Sequence, residues 1–363
     1  MQPLTLHGIH AGLGARFVEI QGMEGVEDYG DWNAEHAALR TTVGILDLSF
    51  RGRFCLTGAD RVRLLNGQVT QDIKTLGEFA GCRAAFCNAK GRLVAEAFIY
   101  ALKEEILLDV EPGATAGLLA RLEHHIVAED VQVVDVVPYY NLLSLQGPMA
   151  DEVARRVGWF SAVPEKNLQV VSAAVEGWGD LYLIRHARTT APGLDLFVPM
   201  EATEAAFQAL VLAVAAVGGR PVGFAALEIA RIEAGIPRFG IDMDETHLPP
   251  EAGMDRDAIS YTKGCYTGQE TIARIRTYGQ VTKALRGLRL PDELETLPEK
   301  GDVLIRDNRE VGKITSAIRS PALGRNIALG YVRKECNAIG SQLILRLAGG
   351  AEVPVEVVEL PFR

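Results

Sequence analysis

The chain has 363 residues, of which 48% are hydrophobic and 23% are charged, a composition typical of a globular protein with two or three domains. The formal net charge of −10 argues against a general binder of nucleic acids or of anionic membranes. The five cysteines form no C-x-x-C pair, so neither a disulfide framework nor a metal site is indicated.

No targeting signal is visible in the sequence. The segment Met1–Leu4 lacks a basic region followed by an apolar run, so a secretory signal is not indicated. The stretch 209–217 comes closest to a membrane span and is too short for one. We therefore expect a protein of the reducing cytoplasm, with neither a membrane nor a nucleic acid as partner.

Two units of similar pattern are predicted in chain order. A strand and a glycine turn at residues 54–58 precede a helix at 59–65 with apolar residues at helical spacing. The same order returns with a strand at 142–147 and a helix at 148–157. This two-copy likeness suggests two related α+β lobes.

Between the two units the patterns predict mainly strands. Residues 82–102 are typical of a β-hairpin that turns at Asn88–Gly91, where a positive φ is expected. The β-branched run Val131–Val137 predicts a buried strand.

Beyond the second unit, the helical stretch 223–235 contains Arg231 and Glu233, which we expect to form a structural ion pair. The acidic residues of 242–257 lack the spacing of a calcium loop, and we interpret this stretch as a linker. From Lys283 onward, short strands separated by glycine- and proline-marked turns predict a small antiparallel barrel or sandwich.

The most informative stretch is KGCYTGQE, residues 263–270. Glycines on both sides of Cys265 allow tight turns, and the following residues predict a helix whose first-turn amides point outward. Lys263 and Arg274 add positive charge near the thiol. These effects favour a thiolate, so we expect Cys265 to be the most reactive of the five cysteines.

This stretch resembles the signature of the YgfZ-type folate-binding proteins, which are relatives of the glycine-cleavage T protein (aminomethyltransferase) and are linked to iron–sulfur protein maintenance. The likeness continues in EHAALRTTVGILDLS, LDLFVP and RIEAG. It implies an α+β fold in which two interleaved lobes and a C-terminal antiparallel β-barrel form a three-domain ring. The implied first lobe comprises residues 1–50 and 141–255, and the second comprises 51–140. A signature linker at 256–282 and the barrel at 283–363 follow.

The resemblance also implies a ligand and the residues that contact it. The ligand is tetrahydrofolate or a one-carbon-substituted folate, with the pterin beside the acid at Asp195, near the meeting point of lobes and barrel. Cys265 is the implied functional cysteine, and iron–sulfur proteins or their assembly factors are the implied protein partners. The implied folate-binding residues are Asp195, Glu96, Asn88, Arg231, Lys263, Tyr266, Gln269, Glu270 and Arg274.

Four departures from the T-protein pattern separate this chain from a typical aminomethyltransferase. Ala95-Glu96 stands where T proteins carry an aspartate pair, and Leu227-Glu228 stands where they carry Arg-Asp. Residues 186–191 lack their T-G-Y-T-G-E loop, and the C-terminus lacks their tyrosine-containing tail. We therefore expect weak or absent glycine-cleavage activity.

Three functions remain open from the sequence. The first is a YgfZ-type protein that binds tetrahydrofolate and uses Cys265 in iron–sulfur cluster assembly or repair. The second is an aminomethyltransferase that transfers a one-carbon unit to tetrahydrofolate, and the third is a non-catalytic folate-binding scaffold. The basic residues around the signature suit an anionic partner, and the glutamate tail of a folate is such an anion.

Overall fold

Three main sheets organise the chain, and the computed structural model describes all of residues 1–363. The strands, in chain order, are β1 (Arg16–Ile20), β2 (Met23–Asp28), β3 (Gly44–Asp47), β4 (Gly52–Thr57), β5 (Gly81–Cys87), β6 (Leu93–Ala101), β7 (Ile106–Val110), β8 (Gln132–Asp135), β9 (Tyr140–Gln146), β10 (Val170–Val175), β11 (Gly179–Arg185), β12 (Gly193–Pro199), β13 (Arg220–Pro221), β14 (Lys283–Arg289), β15 (Val303–Arg306), β16 (Arg309–Ser320), β17 (Arg325–Arg333), β18 (Gln342–Arg346) and β19 (Glu352–Val358). The α-helices are α1 (His7–Gly12), α2 (Trp32–Thr41), α3 (Arg61–Gln68), α4 (Thr115–His124), α5 (Ala150–Val157), α6 (Thr203–Ala215), α7 (Phe224–Glu233) and α8 (Gln269–Tyr278). No helix combines the length and the apolar character that crossing a membrane requires.

Two of the sheets form interleaved lobes. The first lobe contains a six-stranded sheet in the order β10-β11-β12-β9-β3-β13, antiparallel except for the pair of β13 and β3. The second lobe contains the five-stranded sheet β5-β6-β7-β4-β8, whose strands all fall between β3 and β9 in the chain. The second lobe is thus inserted into the first, and the predicted pair of interleaved α+β lobes is confirmed. The domain boundaries given above stay predictions.

The C-terminal part forms a closed barrel in the order β14-β17-β16-β15-β18-β19, with β14 pairing back to β19. Its interior is filled by buried aliphatic side chains such as Leu288, Leu304 and Val332. Because the barrel is closed, none of its six strands has an unpaired edge that needs to be covered by another element. The predicted antiparallel barrel is confirmed.

Helix α7 connects the barrel to the first lobe. Oε2 of Glu233 lies 2.8 Å from Nε2 of His36 on α2, and Oε1 accepts a hydrogen bond from Ser320 of the barrel at 2.5 Å. His36 therefore has a structural role, since it joins α2 to α7. The expected pair of Arg231 with Glu233 is wrong, because Arg231 donates instead to Glu228 and Asp242.

One further expectation is corrected. Strand β8 was expected to be buried, but it lies at the edge of its sheet and pairs only with β4, so its side chains are largely exposed although its sequence is rich in valine.

Asp242, at the start of the stretch interpreted as an acidic linker, is 1% exposed and accepts from Arg231 at 2.5 Å. Thr315 and Ser316, at a β-bulge in β16, also donate to Asp242 at 2.6 and 2.7 Å.

Candidate functional site

A cavity of about 220 Å³ lies between the two lobes, and we refer to it as the central cavity. Strands β5 and β6 of the second lobe, helix α7 and loops that flank the strands of the first lobe form its walls. No barrel residue lines it. The expected position of a pterin, where the lobes meet the barrel, stays a prediction. The lining residues are Leu48, Phe50, Arg51, Arg83, Glu96, Phe98, Glu111, Asn167, Leu168, His186, Ala187, Arg188, Phe224, Leu227, Glu228, Arg231, Ile236, Pro237, Arg238 and Asp257.

A buried ionic network joins the two lobes at one wall of the cavity. Nη2 of Arg188 donates to Oδ2 of Asp195 at 2.6 Å and to Oδ2 of Asp109 at 2.9 Å. Asp195 belongs to β12 and Asp109 to β7, so one guanidinium bridges the two sheets. Nε of Arg51 completes the network by donating to Oδ1 of Asp109 at 2.6 Å.

Asp195 has its polar contacts within the protein. Besides Arg188, its oxygens contact Oγ of Ser144 at 2.7 Å and Nδ1 of His186 at 2.9 Å. Burial alone would raise the pKa of Asp195, but Arg188 and His186 lower it below its ordinary value. Burial, together with Arg188, lowers the pKa of His186, so the imidazole is mainly neutral at pH 7.

Asp109, His186 and Asp195 are also close enough to be considered as metal ligands, since their donor atoms lie within 4.8 Å of one another. Each carboxylate, however, already accepts from a guanidinium. A metal would have to compete with Arg188 for both. We therefore interpret the cluster as an ion-pair network.

Two glutamates on the second lobe face the cavity with unequal partners. Glu111 pairs with Arg51 through Oε1, while its Oε2 is buried and has no protein partner. Glu96 pairs with Arg83, which also contacts Asp257 at 3.2 Å, and Nη2 of Arg83 has no partner. The two partnerless atoms are themselves buried, but both belong to side chains that line the cavity, so a small side-chain shift would offer a polar ligand one acceptor and one donor.

The environment of the cavity changes the pKa of Glu96. Burial raises the pKa of Glu96, Arg83 lowers it, Glu111 raises it again, and the net direction is upward. A cavity carboxyl whose pKa is raised by burial is a candidate for acid–base chemistry.

Aromatic rings supply the apolar part of the cavity. Phe50, Phe98 and Phe224 line it, and the guanidinium of Arg238 lies 4.8 Å from the centroid of the Phe224 ring. The guanidinium of Arg188 lies 5.9 Å from the centroid of the Phe98 ring. A flat, polar-edged ring suits a cavity of this kind, because aromatic faces and guanidinium planes both stack on it.

The signature segment KGCYTGQE lies elsewhere, and none of its residues lines the central cavity. Nζ of Lys263 donates to the carbonyl oxygens of Asn66, Val69 and Gln71 at 2.7–2.8 Å. Asn66 lies in the last turn of α3, and the other two residues follow the helix. Burial lowers the pKa of Lys263 to about 8, while the three carbonyls hold its ammonium form. Lys263 therefore anchors the segment to the second lobe, which leaves Cys265 exposed.

Gly268 fixes the other end of the segment. It adopts φ +86°, and an added Cβ would lie 2.5 Å from the carbonyl oxygen of Asn88 and 3.0 Å from Cα of Gly91. Only glycine allows this approach of the segment to the hairpin turn between β5 and β6.

We expect Gly268→Ala to destabilise the fold by about 1–3 kcal/mol, because it combines left-handed strain with a backbone clash. Gly264→Ala is the matched control, since Gly264 has no positive φ and no atom lies within 4 Å of the position that its added methyl group would take. Urea denaturation of both variants tests this. Equal stabilities would contradict the packing described here.

The residues predicted from the sequence separate into two groups. Glu96 and Arg231 line the central cavity, and Asp195 lies behind its wall with 0% exposure. The others surround the signature and lie outside the cavity lining: Asn88 caps the hairpin turn, Tyr266 packs against Cys87 and Tyr331, and Lys263, Gln269, Glu270, Arg274 and Cys265 complete this group. Arg274 is paired with Glu270 at 2.7 Å on the exposed face of α8. That the signature residues contact a folate stays a prediction.

Several cavity residues were missed by the sequence analysis, notably Arg51, Arg83, Glu111, His186 and Arg188. One feature of the sequence could have pointed to this site. Asp109 and Glu111 are two residues apart at the end of the apolar run of β7, a spacing that places both on one face of an extended chain. Charged residues in an otherwise buried strand mark a network or a site.

Comparison with known proteins identifies the relatives of the chain. Residues 6–263 match the family of the GCVT N-terminal domain, and residues 283–363 match the glycine cleavage T-protein C-terminal barrel domain. The chain is 31% identical over 359 residues to an aminomethyltransferase of Rubrobacter xylanophilus, covering 98% of this chain and 93% of the relative. It is 29% identical over 360 residues to an aminomethyltransferase of Desulforamulus reducens, covering 98% and 96%.

The fold has a close counterpart among solved structures. Glycine cleavage system aminomethyltransferase T from Bartonella henselae superimposes with a TM-score of 0.89 over 100% of this chain and 98% of the other, at 22% sequence identity. At that identity the likeness supports the fold. The distinction between a YgfZ-type protein and other members of the group does not follow from these comparisons.

Proposed function

The chain belongs to the glycine-cleavage T-protein family, and from this premise we propose that it binds tetrahydrofolate in the central cavity and transfers a one-carbon unit to it as an aminomethyl-type transferase. The relatives named aminomethyltransferase support this reaction better than they support iron–sulfur maintenance. The observation that carries the proposal is the central cavity itself, whose lining includes Glu111 and Arg83, each of which keeps one buried polar atom without a protein partner.

These residues fit the ligand by chemistry. The edge of a pterin offers N–H donors next to a carbonyl oxygen, which a carboxylate and a guanidinium complement. The phenylalanines and Arg238 supply faces on which the flat ring stacks. We therefore propose that Glu111 and Arg83 orient the ring and that Phe98 and Phe224 enclose it.

Tetrahydrofolate supplies the ring nitrogen that accepts the one-carbon unit. On the protein side, we propose that Glu96 acts as the proton-transfer group, because it lies in the cavity wall and its pKa is raised by burial. Arg83 holds the Glu96 carboxylate in place, and Arg188 and Phe98 line the cavity beside it.

The test has a binding arm and a reaction arm. Calorimetry with tetrahydrofolate and its formyl and methylene forms measures binding. Reaction with a lipoyl-bound aminomethyl donor, followed through methylenetetrahydrofolate, measures transfer. We expect a rate below that of the Rubrobacter xylanophilus relative assayed alongside, because of Ala95 and Leu227, and a further loss in Glu96→Gln. If the wild type binds folate but forms no more product than Glu96→Gln, the transferase proposal is refuted. The result would then support a non-catalytic folate-binding scaffold.

A second candidate function rests on Cys265. The anchored signature presents this thiol at the surface and outside the cavity, which suits reaction with another protein better than reaction with a bound folate. We propose iron–sulfur cluster assembly or repair as the alternative role, in the cytoplasm, with iron–sulfur proteins or their assembly factors as partners. Cys265→Ser would then lower the activity of iron–sulfur enzymes in cells without changing folate affinity.

We expect iodoacetamide to label Cys265 before the other cysteines near neutral pH. Burial raises the pKa of Cys82 and of Cys87 to about 12 and raises that of Cys55 as well. Cys336 is buried, whereas Cys265 is exposed. Mass-spectrometric mapping of a labelling time course measures the order. Labelling of Cys265 no faster than that of Cys82 would remove the support for a functional thiol.

A further inference from the structure

A second concave surface, the α8 groove, lies between α8 and the barrel. Its volume is about 510 Å³, and it shares no lining residue with the central cavity. Three cationic side chains line it, Arg276, Arg286 and Lys334, against a single acidic residue, Asp255. This excess of positive charge contrasts with the net charge of −10 of the whole chain.

None of the three cations has a carboxylate within salt-bridge distance, whereas two other basic residues near the signature are already engaged. Arg274 is paired with Glu270, and Lys263 is bound to three carbonyl oxygens. The groove therefore holds the unneutralised charge of this region, which attracts an anion.

Two of the three cations are also held in place. Arg286 is half-buried and donates from Nε to the carbonyl oxygen of Asn337 at 2.9 Å and from Nη1 to that of Leu285 at 3.0 Å, which leaves Nη2 available. The guanidinium of Arg276 lies 3.9 Å from the centroid of the Tyr261 ring. Fixed guanidinium groups lose little side-chain entropy when they bind a carboxylate.

The groove adjoins the central cavity along the chain. Asp255 lines the groove, and Asp257, two residues further on, lines the cavity and pairs with Arg83 at its rim. Two residues span at most roughly 7 Å. A ligand that leaves the cavity past Asp257 therefore reaches the edge of the groove at Asp255.

We infer that the α8 groove binds the glutamate tail of the folate held in the central cavity, and that it favours folates that carry several γ-linked glutamates. The inference rests on the proposed folate site. A chain of carboxylates provides one anion for each of several fixed cations, whereas a single carboxylate at the cavity mouth satisfies none of them fully.

The test is calorimetry with tetrahydrofolate carrying one, three or five glutamates. We expect affinity to rise by roughly tenfold or more from one glutamate to three. The double variant Arg276→Gln/Arg286→Gln should lose this gain and keep the affinity for the monoglutamate. Arg319→Gln, an exposed barrel arginine outside the groove, is the control and should behave as the wild type. Added salt should reduce the gain as well.

The outcomes separate this inference from the proposed function. Absence of binding for every folate would refute the folate site itself. Equal affinities for all tail lengths, or a gain that persists in the double variant, would refute the tail site alone. Binding of a short RNA oligonucleotide that the double variant loses, without any dependence on tail length, would assign the groove to nucleic acid and overturn the inference.

Discussion

Replacement of Arg188 by leucine is expected to lower the free energy of unfolding by about 3–5 kcal/mol, the usual cost of removing one partner from a buried ion pair. Arg188 donates to Asp195 of the first lobe and to Asp109 of the second. Its loss leaves two buried carboxylates with reduced compensation. The lobes also lose a direct bridge between their sheets, so the effect exceeds that of a surface ion pair.

The pH dependence of this effect has a defined sign. In the wild type the pKa values of Asp195 and Asp109 lie below their ordinary values, because the guanidinium groups outweigh burial. Their stabilising contribution is therefore complete above the unfolded pKa of about 3.9 and is lost as the pH falls from there through the lower pKa values of the folded state. Without Arg188, burial is less opposed and moves both pKa values upward. Protonation of these carboxylates at lower pH then removes the unpaired buried charge from the variant. The difference in free energy of unfolding between variant and wild type should therefore be smaller at pH 4.5 than at pH 7.

Urea denaturation at the two pH values measures these differences. Arg155→Leu is the matched control, because Arg155 is a largely exposed arginine of the first lobe whose ion pair is worth at most about 1 kcal/mol. Arg188→Leu combined with Asp195→Asn should be less destabilising than the sum of the two single variants. Additive losses, or a difference that is independent of pH, would contradict the network described here.

The sequence was sufficient to predict the fold because the relevant signals are local and repeated. The turn at Asn88–Gly91, the strand-and-helix units and the turn-separated C-terminal strands each point to one element, and a resemblance along the whole chain gives their arrangement. The β8 strand shows where local signals fail. Its valines favour a strand, but only the position at the sheet edge decides that they are exposed.

The site was harder to predict because its residues come together from distant segments. Arg51 and Glu111 are 60 positions apart, and Arg188 and Asp109 are 79 apart. No spacing rule connects such residues in a single sequence. In the signature, Lys263 and Gly268 have a structural explanation, since Lys263 donates to three carbonyl oxygens and Gly268 approaches a neighbouring turn. A motif of high specificity therefore need not line the main cavity.

Asp195 illustrates how a resemblance and a structure support different hypotheses. The strand Leu194–Pro199 resembles the one that carries a folate-facing acid in T proteins, so Asp195 was predicted to contact the pterin. Here its two oxygens contact Ser144, His186 and Arg188. A ligand donor would have to displace one of these groups or share an oxygen with it. Glu111, in contrast, keeps one buried oxygen, Oε2, that has no protein partner to displace.

We therefore expect Glu111→Gln to weaken tetrahydrofolate binding by roughly ten- to hundredfold, corresponding to the loss of about 1.5–3 kcal/mol for a hydrogen bond to a charged group. Glutamine has nearly the same size and still accepts from Arg51 through its amide oxygen. Its amide nitrogen, however, would replace the free acceptor Oε2 with a donor. A pterin edge that presents N–H groups would then face a donor instead of an acceptor.

Calorimetry with tetrahydrofolate monoglutamate tests this prediction without any contribution from the α8 groove. Glu104→Gln, an exposed glutamate of the same lobe, is the control and should bind as the wild type. Asp195→Asn is the decisive companion, examined at a temperature at which near-ultraviolet circular dichroism shows it to be folded. If Asp195→Asn loses the ligand while Glu111→Gln binds normally, the acceptor is Asp195, as the resemblance predicts, and Arg188 must then release that carboxylate when the folate binds.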